Sequence, residues 1–419
     1  MKSKKTVLSH STRALFKALL LGLVACNRQV KAQSVLAPTP ATPDSTPTAM
    51  QSTSEMDVFA APAPETLSQP FKWGAFTLRP HPFYQFLYAD GLQATAGQLA
   101  NSTIQQISIG ALLQMGDHWT LDYTPLWSIY SNNQFQDTFG QTARLAGGTA
   151  YKDWILGFSQ SYADTAAPSA ETGTQLRQQE YNTAVNGAYT MNSKMSLDLA
   201  LNQDILSADQ FSSYSEWSTM DWLNYQFWPR LNAALGAGGG YTDNSSSPDS
   251  TFERLQGRVN WRATDKISFQ VHGGMEVRQF LSGGVAPFID PIYDALIQYQ
   301  PFAQTKIFLS GSQSVSSSIL QNQITETAAL NAGVNQRLLG KVFLNVNGGY
   351  QNVKYLPTSN ATTASRGRDK IYSLNTQLSY TFLKRGSFAV FYQISRDDSS
   401  QPGFSFTSHQ VGAQIGFNY

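Results

Sequence analysis

One histidine and one glutamate have the spacing of an acid–base pair. In "VHGGMEVRQ", His272 and Glu276 are four positions apart, so both side chains point to the same face if the segment is a β-strand. An imidazole and a carboxylate on one face can move protons to and from a bound substrate. Two such side chains in a strand are more commonly a satisfied contact of the wall, and we favour that interpretation.

No other catalytic or cofactor motif is present. "GFSQS" lacks the second glycine of a nucleophile elbow. The glycine run in "ALGAGGGYTDN" continues an alternating strand and opens no helix, so it predicts a close approach of strands or a bend rather than a dinucleotide loop. No metal-ligand spacing is found. The sequence therefore predicts no enzyme, no cofactor and no metal site.

Three arginines occur at every fourth position of "FERLQGRVNWRA", namely Arg254, Arg258 and Arg262. Positions of the same parity, odd or even, point to the same face of a strand, so these three side chains share one face. On neighbouring predicted strands Asp198, Glu276 and Arg278 have the matching parity. A basic stripe of this kind can guide an anionic solute through a channel. The alternative, which we favour, is a set of wall charges that are paired across strands or wetted, since ionised groups in a water-filled lumen need no special purpose.

The elements that carry these residues alternate with a period of two, which is typical of strands. In "KIFLSGSQSVSSSIL", serines occupy one face and Ile307, Leu309 and Val315 occupy the other. The polar faces of this and two later segments give the candidate lumen-lining residues Ser310, Ser312, Ser314, Asn345, Asn347, Asn375 and Gln377. Neutral hydroxyls and amides exchange hydrogen bonds with sugar hydroxyls at little net gain over water, so a glycan could slide past them.

The breaks between strands are of two kinds that alternate along the chain. Tight breaks are "MGDHW", "AYKDW", "MNSKM", "FWPRL", "ATDKI", "AQTKI", "LLGKV" and "LKRGS"; looser ones include "TAAPSAETGTQLRQ", "NSSSPDS", "SGGVAPF" and "TSNATTASRGRD". Short turns at one end and longer loops at the other are typical of an up-and-down barrel. The pattern predicts an all-β, transmembrane, antiparallel barrel of about 18 strands, with 16–18 possible.

Composition places this barrel in a membrane. Charged residues make up 14% of the 419 residues, against about a quarter in soluble domains. After the leader no apolar run is long enough for a membrane-spanning helix. The net charge of +1 gives no indication of nucleic acid. A soluble sandwich is disfavoured because polar faces so poor in Lys and Glu make poor solvated surfaces.

Aromatic residues mark the predicted membrane boundary and the end of the chain. Nine aromatic residues lie beside the predicted tight turns at positions that should face outward, namely Trp119, Tyr189, Phe227, Trp261, Phe269, Phe382, Phe388, Phe417 and Tyr419. Rings at this height form an interfacial girdle. In the closing "HQVGAQIGFNY", Phe417 and Tyr419 resemble the C-terminal signal by which outer-membrane barrels are recognised for assembly. The barrel-assembly machinery and outer-membrane lipid are thus expected partners.

The N-terminus predicts export. Residues 1–32 combine a basic start with a short apolar core, which is typical of a signal peptide cleaved after residue 32. "LVAC" also resembles a lipobox, in which case cleavage falls at 25/26 and Cys26, the single cysteine, is lipidated. Residues 33–72 are rich in Pro, Thr and Ser and predict a disordered periplasmic segment. The barrel is then expected over 73–419.

The chain resembles a known family in several of its hairpin patterns. "LRPHPFYQFLYADG", "LNAALGAGGGYTDN", "KISFQVHGGMEVRQF", "KVFLNVNGGYQNVKYL" and "VGAQIGFNY" are similar to segments of the outer-membrane barrels called beta-barrel porin 2. The resemblance covers roughly Phe71 to Tyr419. It implies the outer membrane of a Gram-negative bacterium and a role as the conduit for exopolysaccharide secretion, with a periplasmic polysaccharide export protein and a glycan chain as partners.

Three other functions compete with this one. A general diffusion porin for small hydrophilic solutes predicts conductance without a partner and usually has a loop folded into the lumen. From the sequence no single loop is an obvious plug. A barrel-embedded hydrolase is disfavoured by the poor histidine inventory, and an adhesive barrel by the shortness of loops such as "NSSSPDS".

Overall fold

Nineteen β-strands and no α-helix make up the described part of the chain. The computed structural model describes residues 71–359, 366–383 and 385–418. The strands are β1 (Phe71–Trp73), β2 (Phe76–Thr95), β3 (Gln98–Met115), β4 (Trp119–Tyr130), β5 (Thr138–Tyr151), β6 (Trp154–Ser169), β7 (Thr174–Asn192), β8 (Met195–Ala208), β9 (Tyr214–Trp228), β10 (Leu231–Asn244), β11 (Ser250–Thr264), β12 (Ile267–Phe280), β13 (Phe288–Phe302), β14 (Thr305–Ser317), β15 (Gln323–Leu338), β16 (Val342–Pro357), β17 (Arg368–Phe382), β18 (Gly386–Ser399) and β19 (Phe406–Phe417).

Strands β2 to β19 form a closed, antiparallel, up-and-down barrel. Each pairs with its neighbours in sequence, and β19 closes the ring on β2 from Gly416↔Phe83 to His409↔Asp90. The prediction of an 18-stranded barrel is confirmed. The short β1 extends β2 as a hairpin, with Phe71 opposite Leu78. Phe71 and Lys72 are therefore in a strand, although the sequence placed them in the segment 33–72, whose other residues lie outside the described ones.

The connections differ at the two ends of the barrel, which we call the turn end and the loop end. At the turn end all eight predicted tight turns connect strands through two or three residues. At the loop end the connections reach ten residues, at 358–367. One predicted loop is wrong: "TAAPSAETGTQLRQ" is mostly strand, because β6 continues to Ser169 and β7 begins at Thr174.

The two faces of the wall differ as the alternation predicts. Leu309 and Ile307 of β14 are 43% and 38% exposed on the outer surface, whereas Ser310, Ser312 and Ser314 have the opposite parity and face the interior. Aromatic side chains exposed on the outside beside the turn end include Trp119, Phe227, Trp261 and Phe388. An apolar band bordered by rings is the surface that a barrel presents to lipid.

Two glycines allow close approaches that any side chain would prevent. A Cβ on Gly238, in the glycine run of β10, would lie 2.1 Å from the carbonyl oxygen of Thr219 on β9. Gly91 has a φ of +73° and would place a Cβ 2.0 Å from the carbonyl oxygen of Thr407. It lies where the pairing of β2 with β3 shifts register, so it forms a bulge near the loop end.

Two of the buried apolar clusters of the interior lie toward the loop end. One cluster contains Leu87, Leu92, Ile104, Phe135 and Phe406; another contains Leu176, Leu206, Ala208 and Ile319. Wide barrels otherwise have polar, water-filled interiors. Apolar burial inside the barrel therefore indicates that some part of the chain folds into its mouth.

Candidate functional site: the mouth of the barrel

The hairpin of β6 and β7 leaves the wall before it ends. Strand β5 pairs with β6 no further than Gln141↔Asp164, and β8 pairs with β7 no further than Gln178↔Ala208. Beyond these points the two strands pair only with each other, up to Ser169↔Thr174. We call residues 165–177 the hairpin tip. Without a paired strand on either side, the hairpin tip can bend over the lumen.

The hairpin tip folds inward because it carries apolar side chains on both sides. Ala167 and Ala170 pack into the cluster around Phe135 and Phe406, while Leu176 packs against Leu206 and Ile319. Burial of a leucine side chain contributes roughly 1.5–3 kcal/mol. The hairpin tip is thus wedged between opposite parts of the mouth.

Hydrogen bonds with the loop after β4 fix one edge of the hairpin tip. The side chain of Gln175 accepts a bond of 2.8 Å from the backbone N–H of Gln136 and donates one of 2.9 Å to its carbonyl oxygen. At the turn, Gly173 lies beside Ala96 of the β2–β3 turn and the ring of Phe404. The tip therefore reaches wall elements that are distant from β6 and β7 in the ring.

Arg366 binds the hairpin tip on the far side of the mouth from β6 and β7, and we call this residue the latch. Its Nη2 donates to the carbonyl oxygen of Ala170 at 2.9 Å, and its Nη1 donates to that of Glu171. The guanidinium is 1% exposed and its Nε lies 2.7 Å from Asp369 Oδ2. The rings of Phe404 and Tyr355 cover it at 4.2 and 5.2 Å. A planar donor fork held by a carboxylate and two rings is rigid, so it fixes the backbone that it binds.

Glu171, at the turn of the hairpin tip, adds a second attachment. Its Oε1 accepts a bond of 2.8 Å from Ser318 Oγ in the loop between β14 and β15. Burial raises the pKa of the Glu171 carboxyl, while Ser318 and the nearby Arg366 partly oppose that shift. The closed mouth therefore holds this carboxyl in a site that disfavours its charge.

The loops around the hairpin tip also bind one another. The backbone N–H of Ser212 donates to the carbonyl of Ile319 at 2.8 Å, that of Asn322 to Ser247 Oγ at 2.7 Å, and that of Thr358 to the carbonyl of Asn322 at 2.9 Å. The loops after β8, β10, β14 and β16 thus form one connected rim. The mouth is narrowed by the tip together with this rim.

A chamber lies below the hairpin tip. Four carboxylates line it, from Glu171, Glu180, Asp369 and Asp397. Neutral polar side chains on the facing strands also line it, including Gln178, Ser316, Thr325, Thr327 and Gln351, as do the apolar side chains of Leu206, Ile319, Val353 and Ile371. Acidic side chains thus lie directly below the hairpin tip.

The predicted arginine stripe faces the lumen, and carboxylates pair with two of its members, Arg254 and Arg258. Arg254 and Arg278 bind the two oxygens of Glu276 at 2.7 and 2.9 Å, all three side chains being buried. Arg258 binds Asp198 at 2.9 Å and Asn224 Oδ1 at 2.6 Å. Arg262 lies on the same face, nearer the turn end. The arrangement agrees with paired wall charges.

His272 and Glu276 do not form an acid–base pair. Four residues of strand separate them by about 13 Å, and Glu276 is engaged by two arginines. His272 instead lies across from Arg258 on one side and Asp294 on the other. Among the described residues no group of three or more His, Cys, Asp or Glu side chains could hold a metal ion.

The remaining predicted residues are found as follows. Ser310, Ser312 and Ser314 face the lumen from β14, and the other candidates meet in register, Asn345 opposite Gln377 and Asn347 opposite Asn375. Phe417 ends β19 opposite Gly386. Cys26 and Tyr419 lie outside the described residues.

The sequence did not reveal the hairpin tip or the latch. Both lie in segments with the composition of loops, "TAAPSAETGTQLRQ" and "TSNATTASRGRD". The one available signal was the presence of three apolar residues, Ala166, Ala167 and Leu176, in the same segment. Apolar residues of this kind are unusual in a loop that is exposed to solvent. From the sequence no single loop was an obvious plug, whereas the structure shows that the hairpin tip reaches across the mouth to Arg366 and Ser318.

Comparison with known proteins finds one family model that is similar to part of the chain. Residues 240–419 match the family described as "Putative beta-barrel porin 2". No curated protein matches the sequence. The matched residues include Arg366 and exclude the hairpin tip.

Solved structures similar to the chain include three from Pseudomonas aeruginosa. OccK2 (OpdF) is 10% identical with a TM-score of 0.45, over 81% of this chain and 98% of that one. The outer membrane protein opdK is 12% identical with a TM-score of 0.45, over 82% and 99%. OpdQ is 10% identical with a TM-score of 0.43, over 82% and 97%.

Proposed function

We propose that this protein, whose residues 240–419 match the family model of beta-barrel porin 2, is an outer-membrane diffusion channel for small hydrophilic solutes. The protein is an outer-membrane porin of a Gram-negative bacterium. Its loop end faces the outside of the cell and its turn end the periplasm, as in other bacterial barrels. Lipid and the barrel-assembly machinery are its proposed partners.

The hairpin tip is the observation that carries this proposal. It crosses the mouth from β6 and β7 and is bound on the far side by Arg366 and Ser318. A segment folded into the mouth limits the cross-section open to solutes. Such a constriction suits small molecules that can pass around the tip, whereas a polysaccharide chain would require the tip to be displaced.

The lining supports the same function. Serine and amide side chains such as Ser312, Asn345 and Asn375 can replace the hydrogen bonds that a solute loses to water, at little net gain. Weak, exchangeable contacts allow a solute to move through without being trapped. The exopolysaccharide conduit, which the family resemblance implies, stays a prediction that none of these contacts favours.

Two measurements test the proposal. Purified protein in a planar bilayer is expected to conduct ions without any partner protein. Deletion of its gene in the host is expected to leave the secreted polysaccharide unchanged and to slow uptake of small sugars. Two results together would overturn the proposal and favour the export conduit. One is a loss of secreted polysaccharide on deletion that the intact gene restores, and the other is the absence of conductance in the bilayer.

A further inference from the structure

The chamber below the hairpin tip is lined by acidic side chains that no basic lining residue balances among the described residues. Glu171, Glu180, Asp369 and Asp397 line it, and no lysine or arginine is among its described lining residues. The nearest guanidinium, Arg366, is already bound to Asp369 Oδ2 at 2.7 Å and to the hairpin tip. Four carboxylates thus face the chamber with one neighbouring cation, which itself serves the latch.

Asp397 is an independent sign of a missing hydrogen-bond donor. Its side chain is fully buried, and its one ionic contact is with Arg366 Nη2 at 3.9 Å, beyond hydrogen-bond distance. Neither of its oxygens accepts a hydrogen bond from the described residues, and the same holds for Oε1 of Gln178 in the same lining. Buried acceptors without donors are costly, so a ligand that only donates would relieve them.

The rest of the lining indicates what such a ligand would carry. An ammonium group offers three donors and no acceptor, and its positive charge suits the carboxylates. The rings of Tyr214 and Tyr355 border the chamber and can contact a cation by their faces. Hydroxyls and amides of Ser316, Thr325 and Gln351 can bind solute hydroxyls.

We propose that the chamber is a selectivity site for small organic cations that carry hydroxyl groups, of the amino-sugar class. The inference rests on the proposed function, since it names the solutes that this channel prefers. Carboxylates in a low-dielectric wall attract cations, and a bound ammonium group in turn favours their ionised form. Neutral sugars pass more slowly and anionic ones are repelled.

Swelling of protein-loaded liposomes separates these solutes. The probes are glucosamine, glucose and gluconate, which are similar in size and differ in charge. Glucosamine is expected to enter about tenfold faster than glucose, the lower end of the range for focused charge, and gluconate is expected to enter slowest. In the Asp397→Asn variant the glucosamine rate falls toward the glucose rate, while the glucose rate is unchanged.

Asp398→Asn is the matched control. Asp398 is next in sequence but points outward, where it pairs with Arg396 at 2.9 Å, so its removal should leave all three rates unchanged. Equal rates for glucosamine and glucose in the wild type, or no effect of Asp397→Asn, would overturn the cation site and leave the channel intact. Absence of swelling in every solute would instead refute the channel itself. An unchanged glucose rate shows that the variant has folded.

Discussion

Replacement of Arg366 by alanine is expected to open the mouth. In the closed mouth Arg366 donates to the carbonyl oxygens of Ala170 and Glu171. Its ion pair is with Asp369, three residues further along at the start of β17, and does not involve the hairpin tip. The two bonds to the tip are therefore the part of its contacts that distinguishes the closed mouth from an open one.

The magnitude follows from these two bonds. A hydrogen bond from a charged donor contributes roughly 1.5–3 kcal/mol, so the pair stabilises the closed mouth by about 3–6 kcal/mol. Since each 1.4 kcal/mol is a factor of about ten, Arg366→Ala is expected to raise the ratio of open to closed mouths by about 10²–10⁴. This is an upper range, because packing of Leu176 and Ala170 continues to hold the tip.

Single-channel recording in planar bilayers measures the effect. The Arg366→Ala channel is expected to spend more time in a state of higher conductance than the wild type. Arg396→Ala is the control, because Arg396 lies at the same end of the barrel but is 60% exposed and pairs with Asp398, a surface contact of about 0–1 kcal/mol. Identical conductance in wild type and Arg366→Ala, with both barrels folded by their mobility in unheated gels, would refute the latch.

Three further outcomes are expected. Burial raises the pKa of Glu171 in the closed mouth, so protonation of its carboxyl stabilises closure, and that stabilisation is lost as pH rises through the raised pKa. Conductance should therefore increase with pH, and Glu171→Gln should flatten this dependence. An unaltered pH profile of conductance in the variant would contradict this role of Glu171. A Cβ on Gly173 would lie 3.3 Å from the Cβ of Ala96, which is close to the distance found in disulfides. The double variant Ala96→Cys with Gly173→Cys should therefore hold the mouth closed until a reductant is added. A conductance that does not respond to the reductant would show that the tip does not reach the β2–β3 turn. Glu276→Ala leaves two buried arginines without their carboxylate and should destabilise the barrel by about 3–5 kcal/mol, measured by urea unfolding in detergent; an unchanged midpoint would show that the site is hydrated.

The strands and their faces could be predicted because they depend on local pattern. The serines of β14 and the tight turns follow from spacing within a few residues, so the order, number and facing of the strands were available from the sequence. Pairing of Arg254 with Glu276 needed more, since parity put both residues in the lumen but the register of β11 on β12 decides that they are opposite.

The closed mouth could not be predicted for a related reason. Glu171 meets Ser318 and Arg366, which are 147 and 195 residues away in sequence, and no local period links such positions. The excess length of β6 and β7 over their neighbours is visible only when the wall is assembled. The composition of the hairpin tip therefore predicted a surface loop. Its position between two shorter neighbouring strands is what lets it fold into the mouth and narrow it.

The size limit for solutes tests the central claim most directly. Replacement of residues 166–177 by Asn-Gly, a two-residue connection suited to a hairpin, removes the hairpin tip and leaves the wall pairing of β6 and β7 intact. Liposomes with the wild-type protein are expected to swell in mono- and disaccharides and to exclude longer oligosaccharides, whereas the shortened variant should admit the longer ones. The same size limit in both proteins would contradict the account, because the hairpin tip would then not be what restricts passage.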